Sequence, residues 1–139
     1  MSGKKEKVSA RLEKWRGHRA DPHLVGYFDC FNRGLYYEAH DVLEQLWLQD
    51  RQGPDGAFYK GLIQLAGAFV HLQKNRRGPA VALFKLALAN LEKYPARHLD
   101  LEVAEMRATA AKWIIHSQEY KADTNPLDSL TPPTFPVPL

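Results

Sequence analysis

Residues 36 to 47 read YYEAHDVLEQLW, with His40 four residues ahead of Glu44. On a helix that spacing is about one turn, so imidazole and carboxylate share a face and can share a metal ion or a proton. A later stretch, FYKGLIQLAGAFVHLQK, carries Gln64 and His71 on one strip of a second helix. Two imidazoles and one carboxylate are the ligand set of hydrolytic zinc sites that keep a position open for water. On this reading His40, Glu44 and His71 hold one divalent ion, zinc or manganese, and Gln64 bonds its water. Glu44 is the candidate general base and Tyr37 the candidate donor to an oxyanion developing on a small ester, amide or phosphate. A competing reading gives these side chains a structural task, an inter-helix hydrogen-bond network that sets helix register. Both stay open at this level.

Placing these groups requires two helices. With Tyr36 at zero and about 100° per residue, Ala39, Val42, Leu43, Leu46 and Trp47 join it on a core face. Glu38, Asp41 and Gln45 fall on the solvated side, and His40 and Glu44 lie at the margin of the apolar stripe. The second helix is apolar on nearly all sides, which places it mid-bundle. Its polar residues Lys60, Gln64 and His71 form one narrow strip. Buried polar groups need partners, since leaving one unpaired costs about 1–3 kcal/mol. His40 and Glu44, on the preceding helix, are the nearest candidates.

Turn residues divide the rest of the chain. Asp21-Pro22 starts a helix that stops near Asn32-Arg33-Gly34. The helix from Tyr36 runs to about Leu48, and the third from near Asp55 to Asn75. Gly78-Pro79 opens a fourth that Pro95 closes, and Asp100 caps a fifth, LEVAEMRATAAKWIIHSQEY. No stretch alternates with period two. The expectation is an all-α fold, a compact bundle of about five helices joined by short loops. The end, LTPPTFPVPL, has too many prolines for a helix and is expected to lie extended along an apolar groove through Leu130, Phe135 and Val137. The domain reading is residues 1–19 as a charged N-terminal segment with room for a short helix, 20–122 as the helical domain, and 123–139 as a proline-rich extended tail.

Composition narrows the function classes. A net charge of +3 with 25% charged residues gives no basic stripe, so nucleic acid, through Lys4, Lys5, Lys7, Arg11 and Lys14, ranks last among partners. The start, MSGKKEKVSARLEK, lacks the apolar core of a signal peptide, and Gln64, His71 and Lys85 interrupt the apolar runs, so no membrane span is expected. One cysteine, Cys30, permits neither an internal disulfide nor a cysteine-based zinc cluster, which points to a cytoplasmic protein. Cys30 itself reads as a small buried hydrophobe, and Trp15, Trp47 and Trp113 as core or edge packing. His18, His23, His98 and His116 lie near helix ends and read as surface or cap residues. Arg76-Arg77 reads as complementing the negative end of the third helix.

The segments FNRGLYYEAHDVLEQLW, FYKGLIQLAGAFVHLQKNRRG and LFKLALANL together resemble domain of unknown function 309, over roughly residues 24 to 95. The resemblance implies a small all-helical fold of undetermined role, whose members are sometimes labelled predicted metal-dependent hydrolases. The motif positions it carries over are Glu38, His40, Glu44, Gln64 and His71. Where such proteins commonly read NxxGA, this chain has NRRGPA. A small-molecule substrate fits the hydrolase reading. A non-catalytic module would instead bind a protein partner or form a homo-oligomer.

Overall fold

The computed structural model describes residues 21–119 and 124–138. The expected N-terminal helix, Trp15, His18 and the basic set from Lys4 to Lys14 lie outside the described residues. Among the described residues the chain is all-α: α1 (Pro22–Asn32), α2 (Tyr36–Asp50), α3 (Gly56–Gln73), α4 (Arg77–Leu91), α5 (Val103–Glu119) and a short α6 (Pro126–Ser129). Consecutive helices pack side by side, so α3 lies between α2 and α4. No helix among them is long and apolar enough to cross a membrane.

Local chemistry sets the helix ends. The Asp21 side chain accepts the His23 N–H, and Pro22 takes a first-turn position where no donor is missed. At the far end of α1, Gly34 adopts φ +75°. Its N–H bonds to the Phe31 carbonyl, and that of Leu35 to the Cys30 carbonyl, so a left-handed residue closes the helix. The same device ends α3, with Asn75 at φ 58°. There the Asn75 N–H meets the Leu72 carbonyl and the Arg76 N–H meets that of His71, folding Arg76 back over the last turn.

Phe69 is the hub of the core. Its ring lies 5.5 Å from Phe31 of α1, 4.9 Å from Tyr36 of α2, 5.0 Å from Phe84 of α4 and 5.1 Å from Trp113 of α5. Such aromatic pairs add about 0.5–1.5 kcal/mol each beyond burial. One α3 side chain thus ties all four other long helices together. Tyr27 of α1 donates to the Leu62 carbonyl of α3 at 2.6 Å, which satisfies its buried hydroxyl. Cys30 is buried, Trp113 is core, and Trp47 is half-buried at the edge.

Four expectations are corrected. Asp100 does not cap α5: it and Leu99 form a two-residue turn, φ 62° and 51°, between β1 (Arg97–His98) and β2 (Leu101–Glu102), and α5 starts at Val103. Paired strands this short are below the length at which alternation becomes visible. Arg77 does not serve the end of α3. Its guanidinium donates to the carbonyls of Ser117 and Thr124, bracing the end of α5 and the segment after it. His98 is no surface cap, for its Nε2 meets the Asp55 carboxylate at 2.7 Å and pins the hairpin to the start of α3. Finally, the end of the chain is not extended throughout. Asn125 caps α6 by accepting the Leu127 N–H, and residues 131–138 then run without helix or strand. Phe135 from this strap enters the core on the chain's own body, with Leu130 and Val137 packed beside it.

Candidate functional site

The strip foreseen on α3 forms the floor of an open groove of about 270 Å³. Lys60, Gln64, Gly67 and His71 succeed one another along its length, Tyr37 and His40 of α2 form one wall, and Leu83 of α4 stands on the other. Ile63 and Val70 supply apolar surface. Gly67 widens the groove, since a Cβ there would approach the Leu83 Cδ1 to 3.3 Å. Tyr37 is 58% exposed and stacks on His40, with centroids 6.4 Å apart.

His71 has a burial-lowered pKa, and the nearby cations Arg76 and Lys74 depress it further. Its ring is therefore neutral near pH 7. Nδ1 is closed off from solvent and has no hydrogen-bond partner. Proteins tolerate an unpaired buried acceptor more readily than an unpaired N–H, so the proton belongs on Nε2. Gln64 is also oriented. Its Oε1 accepts from Asn90 Nδ2 of α4 at 2.7 Å, which leaves the Gln64 amide nitrogen as a donor. Lys60 adds an ammonium, held over the Trp47 ring at 4.3 Å. The groove is lined by donors, and no carboxylate lines it among the described residues.

The pairing expected from sequence is not the one formed. Gln64 pairs with Asn90 on α4, not with His40 or Glu44 on α2. Gly61 explains the preference: it lets α4 approach until a Cβ would stand 3.2 Å from the Asn90 Cβ. His40 faces carboxylates instead, with Nδ1 3.3 Å from Asp41 and Nε2 3.8 Å from Glu44. Asp41, placed in solvent by the helical wheel, is 9% exposed, because α2 is covered by α1 as well as α3. Glu38 is half-buried and does not line the groove.

Tertiary structure thus gathers Tyr37, His40, Gln64 and His71 in one groove, with Glu44 beside His40. No group of three or more His, Cys, Asp or Glu among the described residues stands where it could hold a metal ion. Sequence reasoning missed Asn90, whose role depends on α4 approaching Gly61. It placed Lys60 on the polar strip without giving it a function.

Residues 24–83 match the family model described as Domain of unknown function (DUF309). Neither the curated proteins nor the solved structures contain a match to this chain.

Proposed function

Residues 24–83 belong to the domain of unknown function 309 family, and from that premise we propose that the α3 groove is the ligand site of a non-catalytic binding module. The ligand class is a small organic anion, a carboxylate or phosphate on an apolar body. One observation carries the reading. Lys60, the Gln64 amide, His71 Nε2–H and the Tyr37 hydroxyl offer donors over an Ile63 and Val70 surface that no carboxylate lines among the described residues, Glu44 standing at its edge. The volume suits a ligand at the small end of the usual range, about 300 Å³. Cys30, single and buried, supports a reducing cytoplasmic setting.

Titration with phenyl phosphate, benzoate and benzyl alcohol, followed by calorimetry and amide NMR, tests this. The two anions should bind and shift the amides of Gln64, Gly67 and His71, and the alcohol should not. Lys60→Met should weaken the anions roughly three- to tenfold. Equal binding of anion and alcohol, or shifts elsewhere, would refute it.

Metal-dependent hydrolysis is the second reading, with His40, Glu44 and His71 as ligands, Glu44 as base and Tyr37 as oxyanion donor. It is favoured by His40 and Glu44 standing one turn apart at the edge of the groove that holds His71. Elemental analysis of protein purified without added metal separates the readings: stoichiometric zinc or manganese would favour hydrolysis.

A further inference from the structure

A second, larger cleft of about 610 Å³ opens elsewhere on the molecule, under the C-terminal strap. Leu24, Leu101, Met106, Phe135 and Val137 make its walls apolar. Its rim is acidic, with Asp21 at the start of α1, Asp100 and Glu102 on the hairpin, and Glu105 in the first turn of α5. Arg97 is the opposing charge, 3.3 Å from Glu102. Asp21 is shared with His23. The side chains of Asp100 and Glu105 have no cationic partner among the described residues. In a chain of net charge +3 this concentration of negative charge runs against the average.

A second observation, independent of the rim, points to a ligand. Tyr59 is only 7% exposed, lines this cleft, and its hydroxyl makes no hydrogen bond with the described residues. Tyr27, buried more deeply, has its hydroxyl satisfied by a backbone carbonyl instead. Unlike His71 Nδ1 and Ser117 Oγ, which are closed off from solvent, the Tyr59 hydroxyl stays open to a partner that enters the cleft. Burial, and then Asp55, Asp21 and Asp50 nearby, push the Tyr59 pKa up to about 12. The hydroxyl therefore stays neutral and presents lone pairs in a negative field.

We infer that this cleft binds a small organic cation, a primary amine or guanidinium on an apolar body, with its N–H groups on the Tyr59 hydroxyl and the rim carboxylates. The apolar body lies against Leu101, Met106 and Phe135. Charge complementarity selects the cation, and the enclosed tyrosine fixes the depth to which it enters. The site is separate from the donor-lined α3 groove, and the two ask for ligands of opposite charge.

The probes are phenethylamine, its neutral counterpart phenethyl alcohol and the anion phenylacetate, titrated into the full chain by calorimetry and NMR. Phenethylamine should bind and shift the signals of Tyr59, Leu101, Met106 and Phe135, while the other two bind at least tenfold more weakly or not at all. Asp100→Asn and Glu105→Gln should each cost about threefold in affinity, consistent with exposed charges. Tyr59→Phe should weaken the amine and leave the unfolding midpoint of the free protein unchanged, since the hydroxyl serves no bond in the fold. Equal binding of amine and alcohol would overturn the inference. So would a lowered unfolding midpoint in Tyr59→Phe, which would give the hydroxyl a structural role, or unchanged amine affinity in an Asp100→Asn, Glu105→Gln double variant.

Discussion

Asn32 holds the backbone of Phe135 on both sides: Nδ2 donates to the Phe135 carbonyl at 2.6 Å, and Oδ1 accepts the Phe135 N–H at 2.8 Å. An extended strap leaves its backbone groups without ladder partners, and one amide at the end of α1 replaces two of them. The Phe135 ring then packs 5.3 Å from Phe31 and 6.1 Å from Phe28. Asn32→Ala should lower stability by about 1–3 kcal/mol through the lost bonds. Phe135→Ala should cost about 3 kcal/mol or more by leaving a cavity. Urea denaturation of both variants, and of a chain ending at Leu130, measures how much the strap contributes.

The Gln64–Asn90 contact lends itself to a double-mutant cycle. Gln64→Leu alone or Asn90→Leu alone should each destabilise by about 1–2 kcal/mol, because a half-buried amide loses its partner. Replacing both should restore much of the loss. Additive effects in denaturant melts would show that the pair does not join α3 to α4.

Two glycines of α3 should respond oppositely to alanine. At Gly61 the new methyl meets the Asn90 Cβ and Leu91 Cγ at 3.2 Å, and Asn90 is tethered while Leu91 is fully buried. The variant should lose about 1–2 kcal/mol despite alanine's better helix propensity. At Gly67 the close neighbour is the end of one half-buried side chain, Leu83. Gly67→Ala should be neutral or slightly stabilising, and it should narrow the groove and weaken phenyl phosphate. Thermal melts and calorimetry decide both.

His71 makes stability depend on pH. Its folded pKa lies below histidine's ordinary value of 6.5, first through burial and then through Arg76 and Lys74. Below pH 6.5 the unfolded chain binds the proton more readily, so stability falls as pH drops from 6.5 toward the folded pKa. His71→Asn should flatten that part of the urea-midpoint profile. An unchanged slope would assign it to another group.

Leu99 adopts φ 51° in the two-residue turn between β1 and β2, where a side chain is unfavourable by about 1–2 kcal/mol. Being 42% exposed, it recovers only part of that through packing. Leu99→Gly or Leu99→Asn should raise the melting temperature, as both residues suit the positive φ that such turns demand. A lower melting temperature would mean that the Leu99 side chain does more for the hairpin than its backbone costs.

Much of the architecture could be read from local pattern. Asp21-Pro22 and Gly34 bound α1 because capping and left-handed closure depend on residues near in sequence. The apolar circumference of α3 marked it as central, and prolines kept the last residues out of helix. The hairpin escaped notice because its turn uses Leu99 and Asp100 instead of glycine or asparagine, and its strands are two residues each.

Sequence by itself determined which groups share a helix face: Lys60, Gln64 and His71 on one strip, and His40 with Glu44 on another. Which strips face each other was decided only in three dimensions. Helical spacing fixes angles around one axis, but partner choice depends on how closely two axes approach. Here Gly61 brings α4 near enough for Asn90 to take Gln64, while His40 settles between Asp41 and Glu44 on its own helix. Tertiary packing also enclosed Tyr59 beneath a strap whose Phe135 comes from the other end of the chain, a neighbourhood that no local spacing encodes.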